Sequence, residues 1–283
     1  MPTKNQKPLS QSRAGSKPEA EPADGGVRTL HLGLDILEYL VRIGSDKGVT
    51  ELADHFELTK ARTFRLLQTL VDRGYAVQDI ATSRYAPSVR LFALGQALAE
   101  RFDLPSAVKP EANQLWENIG HTVVTGTLFK DKLLILEVMR GRTPISLGLK
   151  TGALLDLPSS AQGRIALAFG PSELMQRALA GPLPAHTRKT IVSHAKLSEE
   201  IKRVRMQGWS SAPDQLVLGM NAIAGPVFQH DGTLAGMLGV CGLTQFVPHP
   251  PPAELIDQLT TACWRASRKL GFAGKIHRNR HDV

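Results

Sequence analysis

From Val27 onward, apolar residues recur at helical spacing. Leu30, Leu34, Leu37, Leu40 and Val41, with Tyr39, predict a first helix that ends in the turn-forming run Gly44-Ser45-Asp46-Lys47-Gly48. A short second helix is expected from Thr50, read as its cap, with Leu52, Ala53 and Phe56 as its apolar face. After a turn at Glu57-Leu58-Thr59, a third helix runs over 60–73 with Thr59 as cap, burying Phe64, Leu67, Leu70 and Val71 and stopping at Gly74. Tyr75-Ala76-Val77-Gln78 and Arg84-Tyr85-Ala86-Pro87 then alternate as two short strands around a polar tip. Three helices and a hairpin wing in that order predict a winged helix-turn-helix.

The pattern over 88–102 is helical again, carrying Val89, Leu91, Phe92, Leu94 and Leu98, and breaks at Asp103-Leu104-Pro105. It reads as a linker helix. Beyond it, the periodicity predicts a helix over 107–119, strands over 122–129 and 133–139, a strand over 145–149, and a helix over 161–169. Further helices are expected from Pro171 and over 197–207, strands over 221–228 and 234–243 around an Asp231-Gly232 turn, and a closing helix over 252–270. Mixed strands and helices of this kind make the fold class α+β. The domains expected are a disordered arm over 1–26, a DNA-binding domain over 27–88, a linker helix over 89–104, an effector domain over 105–270 and a basic tail over 271–283.

Composition narrows the partner. The 283 residues are 42% hydrophobic, enough for two cores, and the formal net charge of +8 favours a polyanion. Residues 1–26 hold too few large apolar side chains to offset their ordering entropy. The two cysteines, Cys241 and Cys263, stand far apart in apolar surroundings, which predicts neither a disulfide framework nor a metal site and makes the cytoplasm the expected compartment. No apolar run approaches the roughly 18 residues of a membrane span, so no membrane partner is expected.

Candidate chemistry concentrates on the third helix. Only a helix or a two-stranded ribbon fits the major groove, and base edges require donors and acceptors on its exposed first turns. Thr59, Lys60, Thr63 and Arg65 are read as phosphate contacts and Arg62 as a bidentate base contact, with Arg84 on the wing and Arg28 at the start of the first helix as further DNA contacts. The partner implied is double-stranded operator DNA.

The stretches Leu34-Asp35-Ile36-Leu37-Glu38, Thr50-Glu51-Leu52-Ala53 and Lys60-Ala61-Arg62-Thr63-Phe64-Arg65-Leu66-Leu67-Gln68-Thr69-Leu70-Val71-Asp72-Arg73-Gly74-Tyr75 resemble the DNA-binding half of the IclR family of bacterial transcription regulators. The resemblance extends to about Leu270. It implies a GAF-like effector domain that holds a small organic molecule, with repression as the default. A homodimer or dimer of dimers is expected because two recognition helices must meet operator half-sites about one helical turn apart, and the effector is read as a small organic acid. Two segments match that domain's motifs, 152–164 and 216–227. In the first, backbone N–H groups of Ser160, Ala161 and Gln162 at a helix start are expected to hold the acid's carboxylate. Arg164 one turn in is read as a fold support, pairing with Asp156. In the second, Met220 and Ala222 line the pocket, opposite Gly239 and Cys241, where serines are common in relatives. Loss of those hydroxyls implies a larger, less polar pocket suited to an aromatic or otherwise bulkier acid. No cofactor is implied.

Two other functions stay open on the residues alone. A ligand-independent architectural DNA-binding protein would use the large domain only to dimerise. A Cys/His hydrolase would need Cys241, His121, His194 and Asp214 to converge without a local signature.

Overall fold

A computed structural model describes residues 27–142 and 148–274. The arm over 1–26, most of the strand expected over 145–149 and the tail from 275 lie outside the described residues. The described chain separates into two compact units, dividing between Ala93 and Leu94.

The first unit contains α1 (Arg28–Ile43), α2 (Val49–His55), α3 (Lys60–Asp72) and the antiparallel pair β1 (Ala76–Gln78) and β2 (Tyr85–Pro87). Its core is Ile36, Leu37 and Leu40 of α1, Leu52 of α2, Leu66, Leu67 and Leu70 of α3, and Ala76 and Tyr85 of the hairpin. Strands of three residues do not persist alone. Tyr85, fully buried, and its two backbone hydrogen bonds to Lys47, at 3.0 and 2.8 Å, fasten the wing to the helices. Two expectations change here. The N-cap of α2 is Gly48, not Thr50, because Glu51 reaches back 3.0 Å to accept the Gly48 N–H and closes the first turn itself. In α3, Phe64 is exposed and Thr63 takes the inward position, since the two lie about 100° apart on the helix and only one can face Leu67.

Helix α4 (Arg90–Ala99) buries none of its residues. The next helix, α5 (Asp103–Ile119), starts four residues before the expected point. Pro105 falls in its first turn, where a missing N–H costs nothing because that donor has no intrahelical acceptor.

The second unit is built on an antiparallel six-stranded sheet in the order β5-β4-β3-β8-β7-β6, from β3 (Thr122–Phe129), β4 (Lys132–Met139), β5 (Leu154–Asp156), β6 (Ser210–Ser211), β7 (Met220–Phe228) and β8 (Leu234–Leu243). Strict alternation sends Val123, Ile223, Leu238 and Val240 to one face, under α5 and α9 (Ala253–Lys269), and Val124, Ala224, Met237 and Cys241 to the other. On that second face lies α6 (Ala161–Phe169), backed by α7 (Ser172–Ala180) and α8 (His194–Gln207). Every residue of α6 from Ala161 to Ala168 is buried, which explains its run of small side chains. The edge strand stands at Leu154–Asp156; Gly148 and Leu149 are not in a strand.

Gly163 shows how closely α6 is seated. A Cβ there would stand 2.3 Å from the Leu157 carbonyl oxygen and 2.5 Å from Ser160 Oγ. Helix propensity favours alanine over glycine by about 1 kcal/mol, but at this position Gly163→Ala is expected to destabilise by about 1–3 kcal/mol through overpacking. Thermal unfolding checks this: a raised Tm would refute the close seating of α6 on Leu157.

Candidate functional site

On α3, Thr59 accepts the Arg62 N–H at 3.3 Å and starts the helix where the basic residues begin. Lys60, Ala61, Phe64 and Arg65 are exposed and Arg62 is half-buried, so the first two turns present cations to solvent with no acidic residue in the first turn. Thr63 is withdrawn from this surface: it is fully buried and its hydroxyl donates to the Thr59 carbonyl at 3.2 Å, so it cannot reach a phosphate. Arg28 is exposed at the first turn of α1.

Arg84 does not project freely from the wing. Its Nη2 contacts Glu51 Oε2 at 2.5 Å and its Nε donates to the Asp46 carbonyl at 3.1 Å, clamping β2 to the start of α2. The Glu51 carboxyl is held below its usual range by the Gly48 N–H, with Lys47 and Arg84 beside it. The wing tip is shaped by Asp79, whose Oδ1 accepts from Ala81 N at 2.7 Å and Thr82 N at 3.3 Å, leaving Ile80 97% exposed.

In the second unit the sheet register aligns Thr122, Cys241 and Ala222 in one row, and Val124, Gly239 and Ala224 in the next. Met220 lies two residues before Ala222 and therefore on the same face. Ala161 and Cys241 belong to one apolar cluster with Ala222 packed against it, and Gly239 lies against Gln162 of α6, whereas Met220 is not part of that cluster. The space beside Gly239 is not free. Gln162 lies in it and donates from Nε2 to the carbonyls of Val124 (2.9 Å) and Met237 (3.2 Å), while a Cβ on Gly239 would stand 3.2 Å from Gln162 Cδ. The expectation that a side-chain-free position 239 enlarges the pocket is thus corrected: the Gln162 stem fills that volume.

Ser160 caps α6, accepting from Gly163 N at 3.1 Å and donating to the Asp156 carbonyl at 2.9 Å. Its hydroxyl is committed. The N–H groups of Ala161 and Gln162 have no hydrogen-bond acceptor among the described residues, and the buried hydroxyls of Ser159 and Ser210 have no partner there either.

Arg164 sets the geometry below this helix start. At 2% exposure its guanidinium donates to the Pro158 carbonyl (2.9 Å), the Ser211 carbonyl (3.1 Å) and Gln215 Oε1 (2.7 Å), with Glu200 at 3.4 Å. The expected pairing with Asp156 is replaced by these contacts, and Asp156 instead meets His186 Nε2 at 2.7 Å and accepts from Ser159 N at 3.1 Å. Burial pushes the Arg164 guanidinium down to about 10, with Glu200 opposing, so it keeps its charge at neutral pH. Gln215 completes the cluster by donating to the Lys189 carbonyl at 2.7 Å while accepting from Ile191 N at 2.9 Å. Sequence reading missed Gln215, Glu200 and His186. No local pattern signals them, because Gln215 lies 51 residues from the arginine it holds.

The hydrolase constellation lacks an activated nucleophile. Burial raises the Cys241 thiol to about 12, which leaves it protonated and a poor nucleophile at neutral pH. His194 Nε2 faces the Gly181 carbonyl at 2.9 Å, and Asp214 Oδ1 accepts from Gly219 N at 2.6 Å. A separate groove of about 560 Å³ opens where α5 begins and α9 ends, lined by Arg101, Asp103, Ser106, Gln229, His230 and Lys269 among others; it adjoins the opposite face of the sheet from α6.

Known proteins resemble the chain over nearly its whole length. Residues 29–79 match the IclR helix-turn-helix domain, and residues 96–268 match the bacterial transcriptional regulator IclR C-terminal domain. The regulator BhcR of Paracoccus denitrificans is 29% identical over 249 residues, 88% of each chain. The transcriptional repressor AllR of Escherichia coli K12 is 25% identical over 232 residues, 81% of this chain and 86% of its own. A Microbacterium hydrocarbonoxydans IclR homologue crystallised with 4-hydroxybenzoate superposes with a TM-score of 0.77 at 18% identity, covering 86% of this chain and 98% of its own, a likeness of fold.

Removing the guanidinium at 164 strips a donor from two buried carbonyls and an amide at once. Arg164→Met and Arg164→Lys are each expected to cost about 3–5 kcal/mol, the lysine because one ammonium cannot span the planar fork. Urea unfolding measures this; variants within about 1 kcal/mol of the parent would show that the cluster does not hold α6.

Proposed function

The chain belongs to the IclR family of bacterial transcriptional regulators, and from that premise we propose that it is a repressor released or reset by a small organic acid bound at the start of α6. The family consists of DNA-binding transcription regulators, not enzymes. The observation that carries the finer reading is the set of unsatisfied groups at one place: the Ala161 and Gln162 N–H groups beside the buried, unpartnered Ser159 hydroxyl. Buried polar groups without partners are rare, and amides at a helix start favour an anion. An acid's carboxylate satisfies the amides, and its organic body rests on the apolar row of Ala222 and Cys241, with Met220 beyond. With the space at Gly239 filled, that row sets the shape of the ligand. The benzoate-bound homologue supports an aromatic acid, and the repressor AllR supports repression.

Operator contact falls to Thr59, Lys60, Arg62 and Arg65 on α3 and Arg28 on α1. Thr63 drops from this set, and Arg84 acts by positioning the wing unless a phosphate displaces Glu51, an exposed and solvent-screened pair. A homodimer or dimer of dimers presents two copies of α3 to successive half-sites about one helical turn apart. Leu30 of α1 and Phe92 and Leu98 of α4, each more than 60% exposed, are apolar surface for such assembly. The working boundaries are 27–88 for DNA binding, 89–104 for the linker and 105–270 for the effector. No helix among the described residues is long and apolar enough to cross a membrane, and the cytoplasm is the proposed site of action.

A thermal-shift series with aliphatic and aromatic carboxylates, 4-hydroxybenzoate included, tests the sensor. A ligand at a hundredfold excess over its Kd is expected to stabilise by about 2.7 kcal/mol and to change affinity for a duplex selected by the full chain. Retained duplex binding with no stabilising acid would favour the ligand-independent architectural reading. On the DNA side, Lys60→Ala should weaken all sequences alike and lower the salt slope by about one, whereas Arg62→Ala should cost about 1–3 kcal/mol at a single base pair. Equal losses for Arg62→Ala on every sequence would remove its base-reading role.

A further inference from the structure

Phe64 stands where a reading residue is needed. The buried residues of α3 are Thr63, Leu66, Leu67 and Leu70, so the outward line runs through Ala61, Phe64, Arg65 and Gln68, spaced as consecutive turns of one face. Phe64 occupies its middle with 47% of its surface exposed, and it has no place in the apolar core of its unit. With 47% of its surface exposed, the ring forgoes about half of the roughly 1.5–3 kcal/mol that full burial contributes, and an external apolar partner would recover it. The surroundings say which kind. Lys60 stands one turn before it and Arg65 beside it, and Gln68, one turn on, is held by Asp72 at 2.8 Å. An apolar side chain set among cations complements a polyanion that carries an apolar feature on its surface.

In the major groove that feature is the C5-methyl group of thymine. A phenyl ring neither donates nor accepts hydrogen bonds, so it cannot read the amino, carbonyl or ring-nitrogen groups that mark the other base edges, and it leaves them desolvated and unpaired. We infer that Phe64 is a specificity-determining residue, selecting a C5-methylated pyrimidine in each operator half-site by apolar contact, while Lys60 and Arg65 hold the adjoining phosphates. This inference rests on the reading that α3 enters the major groove. It also assigns the exposed ring a task distinct from the hydrogen-bonding role given to Arg62.

The test uses the full chain and a duplex it selects from random-sequence DNA. Each thymine in that duplex is replaced in turn by deoxyuridine, which removes only the methyl group. One position per half-site is expected to lose about fourfold in Kd, the equivalent of one buried methyl group, and 5-methylcytosine at that position should be tolerated better than cytosine. Phe64→Ala should abolish the deoxyuridine effect at that position while leaving the chain folded and the salt slope unchanged, because the ring lies outside the core. Phe64→Leu should retain part of the effect and serves as the conservative variant. A parent chain indifferent to every deoxyuridine replacement, or a Phe64→Ala chain as sensitive as the parent, would overturn the inference while leaving DNA binding intact. A chain that retains no duplex at all would overturn both it and the reading beneath it.

Discussion

A guanidinium sealed from water has to find acceptors for five N–H groups, and in this protein Arg164 finds them on four separate segments. The Pro158 carbonyl belongs to the loop before α6, the Ser211 carbonyl to the sheet edge, Gln215 to the loop entering β7, and Glu200 to α8. None of these can shift independently without leaving a buried polar group unpaired. The helix start above the cluster is fixed by the same requirement. Ser160 commits its hydroxyl to the cap, and the first-turn amides of Ala161 and Gln162 are the groups to which the proposed acid is assigned. Burying one charge thus fixes the start of α6, where the proposed effector site lies.

The smaller unit obeys a weaker version of the same logic. Its hairpin is too short to stand alone, so Tyr85 is driven into the helical core and Arg84, its neighbour, is drawn onto Glu51 and the Asp46 carbonyl. Glu51 thereby serves twice, closing the first turn of α2 and anchoring the wing. What remains exposed is an α3 surface with cations in its first two turns and no acidic residue in the first.

Much of this architecture was legible in the residue pattern because it is local. Helix α6 and strand β8 begin and end where periodicity places them, since a run of small and apolar residues bounded by Ser160 and Gly170, or by the Asp231-Gly232 turn and Thr244, leaves little choice. Failures came where a neighbouring identity misled. Threonine reads as polar and phenylalanine as core, yet helix phase puts Thr63 inside and Phe64 outside. Pro105 reads as a break, yet in a first turn proline is harmless. The partners of Arg164 other than Pro158, 36 to 51 residues distant, left no trace in local spacing. The filling of the space at Gly239 by Gln162 was invisible for the same reason.

That last contact has an evolutionary reading. Positions 162 and 239 touch, so they are a single choice rather than two. A side chain at 239 would need the amide at 162 to give way by a few tenths of an ångström, and with it the bridge Gln162 makes between the carbonyls of β3 and β8. Across relatives the two positions should therefore covary, with ligand preference drifting as the pair changes.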